Sequence, residues 1–107
     1  MYGSSWACMK SDLQKVNGYD EKFCVGGYGY EDTDLSRRLN RVDVYCYVPK
    51  FRAIYYHFFD PSSADMKEAG KKVNKQLLDS NDRHAVLYCE LGKDQWQGKI
   101  EPVWTAD

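Results

Sequence analysis

The 107-residue sequence lacks a long apolar run, a cluster of basic residues and any closely spaced pair of cysteines. Without about 18 consecutive apolar residues, no segment is long enough to span a membrane. The formal net charge is −1, and the lysines and arginines are spread along the chain, which argues against binding to the phosphate backbone of nucleic acids. The lack of a Cys-x-x-Cys pair excludes a zinc knuckle and a dithiol redox motif. We therefore expect a soluble chain with neither a membrane span nor a nucleic-acid partner.

The four cysteines stand far apart, at positions 8, 24, 46 and 89. We expect isolated, buried thiols, because cysteine commonly serves as a small buried apolar residue. Free thiols are typical of reducing compartments. The expected location is therefore the cytoplasm, and any association with a membrane would come from regions outside this sequence.

Apolar residues make up 43% of the chain and charged residues 29%, which is the composition of a folded globular domain. Aromatic residues reach 15%, and nine of them are tyrosines. A tyrosine can pack its ring in a half-buried sheet, which is the commoner use, or present its hydroxyl to a wet cleft. The composition leaves both uses open.

The first half of the chain has the pattern of two helices. A short helix is predicted from position 11 or 12 to position 16, and Asn17-Gly18 then supplies residues that tolerate a positive φ. Residues 32–41 contain neither glycine nor proline, and their arginines lie late in the segment, where cations suit a helix C-terminus. They predict the second helix.

The second half predicts two strands and a third helix. Residues 42–48 and 53–59 are rich in β-branched and aromatic residues, and each run is followed by a proline. A helix from Ser62 to about Leu78 follows, and its expected apolar face consists of Met66, Ala69, Val73 and Leu77. Residues 83–91 fit either a helix or a strand.

These elements predict an α/β chain, close to α+β, with a short mixed sheet and about three helices. Residues 1–91 are expected to form the folded portion. Residues 92–107 contain glycine, proline and little periodicity, so they are expected to form a C-terminal tail.

Three acidic residues, Glu31, Asp32 and Asp34, follow a glycine-rich segment and begin the second predicted helix. The free N–H groups and the dipole of a helix N-terminus stabilise carboxylates. A carboxylate in this position can accept a proton from a hydroxyl nucleophile, so general-base chemistry is available. The alternative is a purely structural role, because acidic residues are common in first helical turns.

The run Gly-Tyr-Gly-Tyr-Glu-Asp-Thr-Asp-Leu-Ser-Arg-Arg-Leu, residues 27–39, resembles a family signature. That signature is W-G-G-E-D-x-D-L-x-x-R-L of the galactosyltransferase-like and polysaccharide-synthesising glycosyltransferases. Upstream, residues 3–7 and 16–23 are similar to the family's small-residue strand and its v-n-G-F-D-E-x-F run. Downstream, Tyr56-His57 is similar to the pair that ends the last core strand. The resemblance covers about residues 3–78.

The resemblance implies the C-terminal, acceptor-side half of a nucleotide-diphospho-sugar transferase with the GT-A fold. It implies that Asp32 is the general base and that Glu31 holds the acceptor by hydrogen bonds. Tyr28 stands where the family usually has tryptophan and is expected to stack on a sugar, with Gly29 beside it in the acceptor site. Asp34 is expected to be structural and to pair with Arg37 or Arg38.

The resemblance also implies a divalent cation, usually manganese, with His57 as a ligand. Ile54 departs from the family pattern, because it falls where a soft ligand such as methionine can stand and an alkyl side chain cannot coordinate. A core or hydrogen-bonding role for His57 therefore stays open.

The implied reaction transfers a hexose from a nucleotide-diphosphate sugar donor to a hydroxyl of a glycan acceptor, with inversion. Family members bind the donor through an N-terminal half with an Asp-x-Asp motif. This sequence has no such half, and Asp32-Thr33-Asp34 has those letters only at a helix start. We expect part of an enzyme, inactive alone, that associates with itself or with a partner chain. A glycan-binding module without turnover and a structural remnant are the alternatives.

Overall fold

The computed structural model of the chain describes residues 6–24, 26–48, 52, 54, 56 and 64–96. Four α-helices and one 3₁₀ helix lie in these residues. In chain order they are α1 (Lys10–Val16), the 3₁₀ helix (Glu21–Cys24), α2 (Glu31–Arg41), α3 (Ala64–Arg83) and α4 (Lys93–Trp96).

The three predicted helices are confirmed in the described residues, while the predicted start of the third at Ser62 lies outside them. The third, α3, continues five residues beyond its predicted end at Leu78. The added turn is polar, so its own sequence gives it no apolar face. Tertiary bonds explain the extension. Asn81 donates to buried carboxylates, and Asp82 forms ion pairs with Arg37 and Arg41 of α2.

The predicted α/β fold with a short mixed sheet is wrong, because the described residues contain no strand. Residues 42–48, expected as a strand, form a turn and then irregular chain. The N–H groups of Asp43 and Val44 donate to carbonyls at the end of α2, and Asp43 has a φ of 63°. Donors that a sheet would need thus close the helix instead. Most of the second expected strand, residues 53–59, lies outside the described residues.

A small apolar core joins α1 to α2. Val16, Leu35 and Leu39 are buried at its centre, and Trp6, Leu13, Val42 and Val44 pack around them. With so few apolar side chains buried, hydrogen bonds to buried polar groups must supply much of the specificity of the described fold.

The buried face of α3 differs from the predicted one. Val73 is half exposed, whereas Gly70, Asn74, Leu78 and Asn81 are buried. The reason is what α3 packs against. Backbone carbonyls face Gly70 and Asn74, and carboxylates face Asn81, so these positions need a close approach or an amide donor. Leu78 is the apolar residue among these four.

Asn17 ends α1 in the left-handed conformation, with a φ of 65°, which confirms the predicted turn. Its side chain is buried and binds the end of the described chain. The amide nitrogen donates to the Cys89 carbonyl and to Gln95 Oε1, both at 2.8 Å, and the amide oxygen accepts from the Asp94 N–H. Residues 92–95 of the predicted tail therefore pack on the first helix, while the boundary at residue 91 stays a prediction.

Candidate functional site

A cleft of about 580 Å³ opens between the loop after α1 and the glycine-rich segment before α2. It is lined by aromatic rings, carboxylates, glycines and one thiol, contributed by Tyr19, Asp20, Glu21, Phe23, Cys24, Gly27, Tyr28, Gly29 and Glu31. Three of the four residues predicted for the acceptor site or for catalysis, Tyr28, Gly29 and Glu31, therefore lie together in its wall.

The glycine-rich segment needs its glycines at two positions in this wall. Gly27 and Gly29 have φ values of 75° and 94°, which side chains disfavour. Tyr30, directly before α2, also has a positive φ of 67°. A non-glycine residue held in this region costs free energy and persists only where its surroundings fix it.

Asn74 of α3 fixes this segment. It is almost fully buried, and its amide nitrogen lies 3.0 Å from the carbonyl oxygens of Phe23 and Tyr28 and 2.8 Å from that of Gly29. One side chain thus satisfies carbonyls on both sides of the segment's bend. Sequence reasoning missed this residue.

Two glycines let α3 come close enough for that contact. A Cβ atom added to Gly70 would lie 2.5 Å from the Gly26 carbonyl oxygen, and one added to Gly26 would lie 2.8 Å from the Gly70 carbonyl oxygen. Each distance is below any that a real Cβ atom tolerates. The helix and the segment therefore meet backbone to backbone.

Asp32, the predicted general base, is the second residue of α2 and is half-buried. Its Oδ1 accepts the N–H of Thr33 at 2.8 Å. Among the described residues, the cleft lining includes Glu31 and does not include Asp32. Asp32 nevertheless lies near the cleft, because its charge acts on the hydroxyl of Tyr19, which is a lining residue.

Tyr19 is held at the edge of the cleft by Trp6. The indole Nε1 donates to the Tyr19 hydroxyl at 3.1 Å, and the two rings meet edge to face. Burial raises the pKa of the Tyr19 hydroxyl, the bond from Trp6 lowers it, and the charges of Asp32 and Glu31 raise it further. Because the net shift is upward, Tyr19 stays protonated at neutral pH and is available as a hydrogen-bond donor.

Behind the cleft, Asp34 and Arg38 form a buried ion pair at 2.8 Å, which confirms one of the two predicted pairings. Arg38 also donates to the Val16 carbonyl at 2.5 Å. Asn81 donates to Asp34 at 2.9 Å and to Asp20 at 3.3 Å, so a single amide joins two buried carboxylates. This network connects α1, the cleft loop, α2 and α3.

The two asparagines of α3 had a signal in the sequence. Asn74 and Asn81 are seven residues apart, which puts them on the same face two turns apart. Two amides on one predicted face indicate that it packs on polar groups. The prediction considered only the apolar residues of the helix.

The predicted metal ligand His57 lies outside the described residues, so its role stays a prediction. Ile54 is 80% exposed. Within the part of the chain that the structure describes, no group of three or more histidine, cysteine, aspartate or glutamate residues is arranged to hold a metal ion. The same part contains no helix long and apolar enough to cross a membrane.

All four cysteines are free, as predicted, but only Cys89 is buried, so the expectation of four buried thiols is wrong for three of them. Cys24 lines the cleft, and its Sγ lies 3.6 Å from a carboxylate oxygen of Glu21. Partial desolvation raises the pKa of the Cys24 thiol, and the charge of Glu21 raises it further.

Residues 1–61 match the family described as the N-terminal domain of galactosyltransferase. Because the match covers more than half of the chain, the chain belongs to this galactosyltransferase family, and its class is that of the glycosyltransferases. The resemblance implied the C-terminal half, whereas the matching family is described as an N-terminal domain. No curated protein and no solved structure matches the chain.

Proposed function

We propose that this chain forms the acceptor side of a glycosyltransferase that moves a hexose from a nucleotide-diphosphate sugar to a glycan hydroxyl with inversion. The observation that carries the proposal is the cleft, whose wall contains Tyr28, Gly29 and Glu31, with Asp32 in the next position of α2. A ring, backbone groups and a carboxylate are the groups that bind a sugar.

In the proposed reaction the acceptor lies in the cleft with one hydroxyl near Asp32. The carboxylate of Asp32 takes the hydroxyl proton as the oxygen attacks the anomeric carbon of the donor. The new C–O bond forms on the face opposite the diphosphate, and the bond to the diphosphate breaks with its electron pair on the leaving oxygen. The configuration at the anomeric carbon is therefore inverted.

The remaining residues orient the acceptor. Glu31 accepts hydrogen bonds from its other hydroxyls, and Tyr28 presents a half-exposed ring on which a sugar face can lie. Tyr19, which also lines the cleft and keeps its proton, donates a hydrogen bond to the acceptor. Such positioning supplies a large part of the rate of a two-substrate transfer.

The donor and its metal require groups beyond the described site. A divalent cation, manganese by resemblance, would stabilise the diphosphate, with His57 as the one proposed ligand in this chain. The other ligands would come from groups beyond the residues that the structure describes, which hold no cluster of three or more potential ligands. Self-association, or association with a partner that supplies the donor half, stays part of the proposal.

The test is Asp32→Asn in an enzyme that includes a donor-binding half. Asparagine keeps the oxygen that accepts the Thr33 N–H, so the helix start is preserved while the base is lost. We expect turnover to fall by about 100-fold or more, with an unchanged melting temperature. The control is Asp79→Asn, which removes an exposed carboxylate from α3.

Turnover of Asp32→Asn within a few-fold of the unchanged enzyme would remove Asp32 from the role of base.

A second candidate function is a glycan-binding module without turnover. The cleft favours it, because all the proposed acceptor contacts lie within this chain. If the chain bound oligosaccharides but released no nucleotide from a nucleotide-sugar, alone or with a donor-binding half, the binding module would be the better assignment.

A further inference from the structure

Residues 89–95 pack against the cleft loop, which follows α1 and forms one wall of the cleft. Two backbone hydrogen bonds join this segment to the loop. The N–H of Glu21 donates to the Leu91 carbonyl at 2.8 Å, and the N–H of Lys93 donates to the Asn17 carbonyl at 3.0 Å. The stretch of loop between these two bonds supplies three residues of the cleft lining. The 89–95 segment therefore sets the path of that wall.

The segment contacts the cleft loop closely without lining the cleft itself. A Cβ atom added to Gly92 would lie 2.0 Å from the Asn17 carbonyl oxygen, so no side chain fits between them. The buried thiol of Cys89 lies 3.5 Å from the same oxygen and 3.6 Å from the carbonyl oxygen of Tyr19. Among the described residues, the cleft lining includes none of residues 89–95. The segment would therefore act on a bound ligand through the loop.

Gln95 is the side chain that closes the segment on the loop. Its Oε1 accepts the Gly92 N–H at 2.6 Å and the side-chain amide of Asn17 at 2.8 Å. The first bond is that of a capping box at the start of α4, and the second joins this cap to the loop. Asn17 in turn accepts the N–H groups of Lys93 and Asp94, the first two residues of α4. One glutamine thus links a helix start to the residue at which the cleft loop begins.

The cleft loop has a second support, which comes from α3. Asn81 donates to the Asp20 carboxylate at 3.3 Å, and Asn74 donates to the Phe23 carbonyl at 3.0 Å. Loss of the bonds made by Gln95 should therefore shift the loop without unfolding the chain. A change at this position tests how the wall is positioned rather than whether the chain folds.

We propose that Gln95 is a positioning residue of the acceptor site. By holding the 89–95 segment against the cleft loop, it keeps the lining residues Tyr19 and Glu21 in the wall of the cleft. Without its bonds these two side chains would be in place for only part of the time, and the observed affinity falls in proportion to that fraction. This inference rests on the proposed function, because it takes the cleft to be the acceptor site.

The first measurement uses the unmodified 107-residue chain. The probes are three neutral β1,4-linked hexasaccharides that differ at C2 of each sugar, namely cellohexaose, mannohexaose and chitohexaose. Because linkage is reciprocal, a sugar that binds better when the segment is closed must stabilise the closed segment by the same factor. At saturation, the probe that binds most tightly should slow amide hydrogen exchange of Lys93 and Asp94 by about fivefold, the factor that corresponds to one neutral hydrogen bond. Neither residue lines the cleft.

The variants are Gln95→Met, Gln95→Glu and the control Gln76→Met, each measured by calorimetry at a temperature where it is folded. Methionine keeps the length of the side chain and removes the acceptor, whereas glutamate keeps an oxygen that can accept both bonds. Gln76 is an exposed glutamine of α3. Gln95→Met should weaken hexasaccharide binding about fivefold and speed amide exchange in residues 19–24. Gln95→Glu and Gln76→Met should stay within about twofold of the unmodified chain.

If Gln95→Met lowered the melting temperature but left affinity and exchange in residues 19–24 unchanged, the inference would be wrong. If this variant failed to fold, the unmodified chain still decides. Unchanged exchange of Lys93 and Asp94, or slowing that is equal throughout α2 and α3, would overturn the inference. If Glu31→Gln weakened binding and Gln95→Met did not, the acceptor site would stand without this positioning role. Failure of all three hexasaccharides to bind would overturn the proposed function and this inference together.

Discussion

The two halves of α3 use the same side chain for different tasks. In the first half, Asn74 donates to backbone carbonyls of the glycine-rich segment and so shapes the wall of the cleft. In the second half, Asn81 donates to the carboxylates of Asp20 and Asp34 and so completes a buried ionic network. The first half of α3 thus stabilises the candidate site, and the second half stabilises the packing of the helices.

The two amides differ in the acceptors that they satisfy. A segment bent through positive φ values leaves carbonyls that no helix or sheet satisfies, so a side chain must satisfy them. Two buried carboxylates with one arginine carry a net negative charge, so they need neutral donors as well as the cation. Substitutions on the two sides should therefore fail in different ways.

The largest loss of unfolding free energy is expected in the buried ionic network, from Arg38→Met. The change leaves Asp34 buried without its cation, and loss of one partner of a buried pair costs about 3–5 kcal/mol. Urea unfolding measures it. Arg37→Met is the matched control, because Arg37 is an exposed arginine of the same helix, and its loss should cost less than about 1 kcal/mol. Equal losses for the two variants would show that burial of the pair is irrelevant.

The second effect separates the halves directly, through Asn74→Ala and Asn81→Ala. Each removes one amide donor from its acceptors, at about 1–3 kcal/mol in unfolding free energy. Only Asn74→Ala should also speed amide hydrogen exchange in residues 26–30 and weaken oligosaccharide binding, because only that amide holds the segment.

Asn74→Gln is not expected to rescue binding, because the extra methylene displaces the amide from three carbonyls at once. If Asn81→Ala loosened residues 26–30 as strongly as Asn74→Ala at a temperature where both variants are folded, the division of α3 into two halves would be wrong.

The smallest expected effect is on the alkylation rate of Cys24, which reports on the cleft. It is measured in a variant with serine at positions 8 and 46. The raised pKa of Cys24 means that thiolate appears only at higher pH than in a free peptide, so the alkylation-rate profile should lie to the alkaline side of the peptide's. Glu21→Gln should move the profile back toward lower pH. A profile to the acid side of the peptide's would contradict the assignment. Asn74→Ala should alter the profile and Asn81→Ala should leave it unchanged.

The sequence predicted those features that local chemistry decides. Asn17 ended α1 because it tolerates a positive φ, and the acidic run began α2 because a helix N-terminus accepts carboxylates. The prediction from sequence was wrong for residues 42–48, whose β-branched and aromatic composition favours a strand. There the donors of Asp43 and Val44 are used by the end of α2, which only the tertiary structure reveals.

The candidate site divides in the same way. Tyr28, Gly29 and Glu31 are close in sequence, so a motif could place them together in one wall. Tyr19 and Asn74 come from other parts of the chain, and only folding brings them to that wall. The buried face of α3 was mistaken because apolar spacing was weighed and amide spacing was not.

The contact between Gly26 and Gly70 has a consequence for how related sequences can vary. The two positions are 44 residues apart, yet neither can gain a side chain while the other backbone stays in place. They form one steric unit and should covary. A relative with a larger residue at either position must move the helix outward, and Asn74 would then no longer reach its three carbonyls. We therefore expect such relatives to have lost this asparagine too, and to form the wall of the cleft by another route.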